Sequence, residues 1–192
     1  FEGVTVASTQ MPASSGAWIR EGSVLTPEMF GALPEQDDHS AILSATFDQI
    51  RQGTEIVLAG DYRISQAIER AGASHFRIGG GGRISMIGQA PVRYGFGILY
   101  FSDCSDFLVS SLTLDANRQM RSAAEAPAHT VTLQSCRRFE FVSVTALNAV
   151  CDGFMLFSAR PENADTHCSD FAFTDCVAEN SFRQGCTVTE GH

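Results

Sequence analysis

From about residue 55 onward the apolar residues of this chain fall in short runs that alternate with polar ones, and in the last third one such run is written three times. Cys104-Ser-Asp-Phe107-Leu-Val109-Ser-Ser-Leu112-Thr-Leu114 returns as Cys136-Arg-Arg-Phe139-Glu-Phe141-Val-Ser-Val144-Thr-Ala146. It returns again, after the same step of 32 residues, as Cys168-Ser-Asp-Phe171-Ala-Phe173-Thr-Asp-Cys176-Val-Ala178. Alternation with period two, a short step, and a second alternation predict two strands joined by a bend in each copy. In a sandwich, equivalent strand positions need not recur at fixed spacing. In a coil whose turns stack they must, because one side chain per turn fills each interior column. The predicted columns are Phe107/Phe139/Phe171, Val109/Phe141/Phe173, Leu112/Val144/Cys176 and Leu114/Ala146/Ala178. Asn148 and Asn180 share a column at the next bend, where stacked amides satisfy turn backbone.

Ahead of the repeat, residues 1–29 are rich in Ser, Thr, Ala and Gly and read as an extended lead-in. Ile42, Leu43, Phe47 and Ile50 mark one face of a short helix over about residues 38–51. Asp37 or Asp38 caps it, in preference to serving as a metal or catalytic pair, and Gly53 follows its end. Glu55–Ala59, Tyr62–Ile64, His75–Ile78 and Arg83–Ile87 read as strands. Gly79-Gly80-Gly81-Gly82 joins two of these runs and lacks a following helix, so it is a tight bend rather than a phosphate cradle.

These residues carry a resemblance. Phe30-Gly31-Ala32, Asp37-Asp38 with Ala41-Ile42, and the Glu55-Ile-Val-Leu-Ala-Gly60 run resemble the opening of pectate-lyase-superfamily proteins, closest to the rhamnogalacturonase/epimerase-like branch that includes phage tailspikes. The glycine run followed by Arg83-Ile84 is similar to that family's second turn. The likeness covers roughly residues 24–192. It departs where the family's Gly-Asp-Gly is missing and where His39, not Thr, follows the acidic pair. The resemblance implies an all-β, right-handed, single-stranded parallel β-helix with a short N-terminal capping α-helix, over residues 30–192. It also implies a polysaccharide partner, an extracellular or virion-associated location and, from the tailspikes, a homotrimer.

Charge narrows the partners. The net charge is −9 and all 13 basic residues are Arg, so a basic patch for nucleic acid is not expected. The absence of Lys excludes a Walker-type loop and Schiff-base chemistry. No apolar run approaches the roughly 18 residues of a membrane span. The start Phe1-Glu-Gly-Val shows no initiator Met, basic n-region or apolar h-region, so no signal peptide is expected in it, and a start without Met suggests processing or a piece of a longer protein. None of the six cysteines forms a C-x-x-C pair, so they read as small buried hydrophobes rather than zinc ligands or disulfides.

The repeat length points to a functional face. A bare turn takes 23 residues, from Leu133 to Leu156, so each 32-residue repeat carries an excursion of nine. Residues 118–128 precede the Thr130–Leu133 strand and residues 158–166 follow the Phe154–Phe157 strand, which predicts two walls of a groove. Its floor is the outward set Tyr100, Thr130, Thr132, Met155, Phe157, Thr187 and Thr189, whose rings and hydroxyls suit sugars. Expected substrate contacts are Tyr100, Arg118, Arg121, Phe157, Arg160 and Gln184. Glycoside hydrolysis needs two carboxyls, and lyase or epimerase chemistry needs a base with a cationic neutraliser. The catalytic candidates are Asp152, Asp165, Arg183 and Glu190. His129 reads as a loop-to-strand junction. No cofactor is expected, apart from Ca2+ for a lyase. The expected activity is degradation of an acidic polysaccharide by a hydrolase or lyase, in the manner the resemblance to tailspike depolymerases implies, with a non-catalytic structural or adhesive β-helix and a uronate epimerase as alternatives. The chain ends straight after a strand, which predicts an uncovered coil end with later turns missing.

Overall fold

The computed structural model describes residues 4–6, 18–20, 22–88, 97–120 and 128–189. Three parallel sheets run the length of the coil, and each full turn gives one strand to each sheet. The first sheet holds β3 (Val24–Leu25), β4 (Glu55–Val57), β7 (Ser74–Gly79), β10 (Ser105–Ser110), β13 (Arg137–Val142) and β16 (Ser169–Thr174). The second holds β5 (Asp61–Ile64), β8 (Arg83–Met86), β11 (Thr113–Asp115), β14 (Thr145–Leu147) and β17 (Val177–Glu179). The third holds β6 (Ile68–Ala71), β9 (Leu99–Ser102), β12 (Val131–Gln134), β15 (Phe154–Phe157) and β18 (Cys186–Val188). This is a right-handed parallel β-helix, the sense that parallel crossovers take.

The register is the predicted one. Phe107 pairs with Phe139 and Phe139 with Phe171, while Leu114, Ala146 and Ala178 follow each other in the second sheet. Phe76 extends the first column by one turn, and the four rings stack at 5.0, 5.1 and 5.3 Å between centroids. Burying one such ring contributes roughly 1.5–3 kcal/mol, and each stacked pair about 0.5–1.5 kcal/mol more. The cysteine column is interior. Cys104, Cys136 and Cys168 are buried, and each thiol donates to a carbonyl of the preceding turn: Arg70, Phe101 and Leu133, at 3.5 Å in every case. Asn180 Nδ2 donates to Asn148 Oδ1 at 2.7 Å, and Asn148 Nδ2 to Asp115 Oδ1 at 2.8 Å, so the amide ladder at the second corner forms as the spacing predicts.

Four features differ from the sequence reading. The helix, α1, spans Ser40–Asp48 rather than 38–51. Asp38 still serves its start, its carboxylate accepting the Ser40 amide at 2.8 Å. The lead-in is partly structured: β1 (Val4–Val6) and β2 (Trp18–Arg20) pair antiparallel, and β3 already belongs to the first sheet through Leu25 and Ile56. Strand β6 was not anticipated, because Glu69 and Arg70 break its apolar pattern. Cys186 is exposed rather than buried, since β18 pairs on one side only among the described residues. Val177, Phe182 and Val188 are exposed in the same turn.

The glycine run is a bend between β7 and β8. Gly82 donates its amide to Leu58 O at 2.8 Å. A Cβ there would lie 2.4 Å from Leu58 O and 2.5 Å from Gly60 O. Glycine is needed because two backbones touch.

Candidate functional site

Four consecutive strands of the first sheet share a local kink. His75, Asp106, Arg138 and Asp170 occupy equivalent positions with φ of 56°, 56°, 49° and 54°, each just before the inward phenylalanine. Left-handed backbone is tolerated by Asp and His but disfavoured for Arg by about 1 kcal/mol. After the phenylalanine, Arg77, Leu108, Glu140 and Ala172 turn outward in register. Kink and outward column together line a groove of about 830 Å³, with Glu55 at its lower end. The groove lies parallel to the coil axis, as a site for an extended chain must.

Its lining is chemically mixed. Four carboxylates (Glu55, Asp106, Glu140, Asp170), two guanidiniums (Arg77, Arg138) and the His75 imidazole face it. Arg138 donates from Nε and Nη2 to the two oxygens of Asp106 at 2.7 and 2.8 Å. That bidentate hydrogen bond holds the Asp106 carboxyl far below the usual carboxylate range. Asp106 is therefore a fixed anion in the groove and cannot serve as a proton donor near neutrality. Turns of the coil stand about 4.8 Å apart. Asp106 and Asp170, two turns apart with Arg138 between them, are about 10 Å apart along the backbone, and Glu140 sits between them in the neighbouring column.

The residues singled out from the sequence lie elsewhere and in separate places. Asp152, Arg183 and Gln184 come together at the corner leading into the third sheet. There Asp152 Oδ1 accepts the Gln184 amide at 3.1 Å and stands 3.7 Å from Arg183 Nε. Asp152 is completely buried, so in this arrangement it faces the interior of the corner and not a substrate. Arg118 belongs to the amide ladder, donating to Asn180 Oδ1 at 2.8 Å with its guanidinium 5.7 Å from the Phe182 ring. Tyr100 donates its hydroxyl to Gln134, the register neighbour of Phe157, so these two aromatics share the outer face of the third sheet. Arg160 and Asp165 are exposed in the loop after β15. Thr166 closes that loop, its hydroxyl 2.6 Å from Ser158 Oγ and donating to the Arg160 and Asn163 carbonyls at 2.9 and 2.8 Å. Arg121 and Glu190 lie outside the described residues. Thr130 and Thr132 are fully buried and do not offer hydroxyls to a sugar, contrary to the outward set expected.

The first-sheet residues left a trace in the sequence. The second position after each repeat cysteine reads Asp, Arg, Asp at residues 106, 138 and 170, a charge alternation down one column. Opposite charges in register across strands are what an exposed pair such as Asp106–Arg138 requires.

No protein-family model matches the chain, and no curated protein sequence does. Solved structures do. The chain is similar to the A-module of the mannuronan C-5 epimerase AlgE4 from Azotobacter vinelandii, at 20% identity and a TM-score of 0.54, over 84% of this chain and 52% of that one. The likeness is one of fold. The chain thus spans about half the length of that module. It also aligns with a candidate glycosyl hydrolase from Parabacteroides merdae, at 12% identity, a TM-score of 0.48 and 81% and 95% coverage of this chain and that one. Tailspike protein 3 of bacteriophage CBA120 aligns at 11% identity and a TM-score of 0.41, over 95% of this chain and 37% of that one.

Proposed function

We propose that this β-helix is carbohydrate-active, that it holds a polysaccharide along the first-sheet groove, and that it cleaves the chain there with the groove's carboxylates. The observation that carries the reading is the groove itself: an open channel along the coil axis in which carboxylates, guanidiniums and an imidazole stand one turn apart. A β-helix presents such side chains in register at the scale of a sugar residue, and mixed acid–base sets are what glycoside chemistry uses. Asp106, kept ionised by Arg138, acts as the fixed anion that stabilises developing positive charge at the sugar carbon. Glu140 or Asp170 supplies the proton to the leaving oxygen, and water adds at the sugar carbon, its proton passing to the other of these two carboxylates. Arg77 grips carboxylates of an acidic substrate through its planar fork. The resemblance to tailspikes adds to the proposal a homotrimer at an extracellular or virion surface.

The test is incubation of the protein with a panel of acidic and neutral bacterial polysaccharides. New reducing ends without ultraviolet absorbance indicate hydrolysis, unsaturated-uronate absorbance indicates a lyase, and a changed uronate composition without chain scission indicates an epimerase. On the substrate so found, Glu140→Gln and Asp170→Asn are read against Tyr100→Ala and Phe157→Ala. At least one of the first pair lowers turnover about 100-fold or more, while the second pair changes it less than about tenfold. The reverse result moves the site to the outer face of the third sheet. Binding without any product places the protein among adhesive β-helices.

A further inference from the structure

At the corner between the second and third sheets, three consecutive turns stack residues of unusual chemistry. Ala128, Cys151 and Arg183 succeed one another through the bonds Cys151 N–H to Ala128 O and Arg183 N–H to Cys151 O, each 3.0 Å. One residue further along, His129, Asp152 and Gln184 stack in the same way: the Thr130 amide bonds Asp152 O and the Gly153 amide bonds Gln184 O, again at 3.0 Å. Gly97 lies beneath His129, and a Cβ there would fall 1.5 Å from His129 O. The turns therefore close tightly on this corner. His129 is 4% exposed, Cys151 2% and Asp152 0%.

Three potential ligand atoms converge inside it. His129 Nδ1 stands 3.2 Å from Asp152 Oδ2, and the Cys151 sulfur completes a set whose atoms all lie within 4.8 Å of one another. The carboxylate is poorly served by the protein alone. Its Oδ1 accepts the Gln184 amide, but the buried Oδ2 has no hydrogen-bond partner. His129 Nδ1 accepts the Asp152 amide at 3.3 Å, which leaves the proton of a neutral ring on Nε2. A buried carboxylate oxygen facing a ring nitrogen lone pair is costly unless a cation stands between them. Arg183 answers part of the need: Nη1 donates to the Cys151 sulfur at 3.4 Å and Nε stands 3.7 Å from Oδ1. Its side chain is 53% exposed and covers the cluster from the solvent side.

We infer that His129, Cys151 and Asp152 form a binding site for a zinc-class divalent ion, with Arg183 as a cationic cover that swings outward when the ion enters. The donor set decides the class of ion. An imidazole nitrogen, a thiolate and one carboxylate oxygen suit Zn2+ and Co2+, whereas Ca2+ and Mg2+ require shells of oxygen. Metal bonds of about 2.0–2.1 Å at a tetrahedral angle place N and O about 3.3 Å apart, close to the 3.2 Å observed between Nδ1 and Oδ2. Three protein ligands leave a fourth position for water. The Cys151 thiol gives its proton to solvent as the ion binds, so uptake releases one proton. An ion here staples the turn of His129 to the turn of Cys151 and Asp152. It also gives Asp152 a role that total burial permits. The inference is independent of the first-sheet groove.

Co2+ is the probe. The fully reduced chain is titrated with CoCl2 and followed by absorption, then challenged with ZnCl2 and CaCl2. The expected result is one Co2+ per chain, with intense tetrahedral d–d bands and a thiolate-to-cobalt charge-transfer band, abolished by Zn2+ and unaffected by Ca2+. Cys151→Ser loses the charge-transfer band, whereas Cys176→Ser and Cys186→Ser keep it. Arg183→Gln, altered at a half-exposed side chain, binds Co2+ at least tenfold more tightly because its cover no longer competes. The inference is overturned if neither the wild type nor Arg183→Gln gives the band at stoichiometric Co2+. It is equally overturned if the band survives in Cys151→Ser or vanishes in Cys186→Ser. Far-UV circular dichroism establishes that each variant is folded. Should Cys151→Ser fail to fold, the Cys176, Cys186 and Arg183 variants still decide the outcome.

Discussion

Replacing Phe139 by alanine tests both the interior ladder and the groove above it. Phe139 is 1% exposed, stacks on Phe107 at 5.1 Å and on Phe171 at 5.3 Å, and meets Phe141 edge-on at 6.2 Å. A buried Phe→Ala change costs about 3–5 kcal/mol, including the cavity it leaves. With stacked neighbours on both sides holding that cavity open, the upper half of the range applies. At about 2–4 °C per kcal/mol for a chain of this size, the melting temperature falls by about 8–20 °C. Phe171 is the internal control. It occupies the same column one turn later but is only half-buried, with one stacked neighbour in the column. Phe171→Ala is therefore expected to cost about half as much. Thermal unfolding followed by circular dichroism reads both variants, and Phe139→Leu, which keeps most of the volume, recovers most of the loss. Equal shifts for Phe139→Ala and Phe171→Ala would refute the reasoning. They would mean that stability does not follow position in the stack.

Two further perturbations address the opening turns of the coil. Tyr62 donates its hydroxyl to Glu28 Oε1 at 2.7 Å, and burial together with that bond pushes its pKa up to about 12. The folded chain holds this proton through a pH range in which the unfolded chain, near 10, gives it up. The contribution is therefore whole below about pH 10 and is lost as pH rises toward 12, about 2–3 kcal/mol in all. Denaturant midpoints measured across alkaline pH should fall in the wild type and stay flatter in Tyr62→Phe, and parallel slopes would remove Tyr62 as the cause. Gly82→Ala forces a methyl against Leu58 O and Gly60 O, strains the bonds from Gly82 N–H to Leu58 O and from Arg83 N–H to Gly60 O, and costs about 2 kcal/mol or more. An unchanged melting temperature would show that the two backbones are not in contact.

How legible each feature was depends on which side of the sheet it occupies. An interior column has to be filled by apolar side chains of compatible size at every turn, so its spacing repeats in the sequence. That is why Phe107, Phe139 and Phe171 fall in one register in the sequence as they do in the sheet. Strand β6 escaped because its interior position is Arg70, whose guanidinium donates to Ile50 O at 3.1 Å instead of packing as a hydrophobe. Outer columns are under no such rule. An outer position accepts Arg77, Leu108, Glu140 or Ala172 without loss of core packing, so nothing in the periodicity announces that these positions line a groove. The left-handed kink at His75, Asp106, Arg138 and Asp170 is likewise invisible to an apolar pattern. Excursion length points to the third sheet, because insertions reveal where loops leave the coil, and concavity is a separate property of the surface. Asp152 misled for a related reason. A carboxylate beside a strand reads as exposed, yet the tight closure over Gly97 and Gly153 turns this one inward. The outer face leaves a mark only where one turn must complement the next, as Asp106 and Arg138 do. In a coil of this kind, column periodicity thus reports the fold, and cross-turn charge complementarity reports contacts on the outer face.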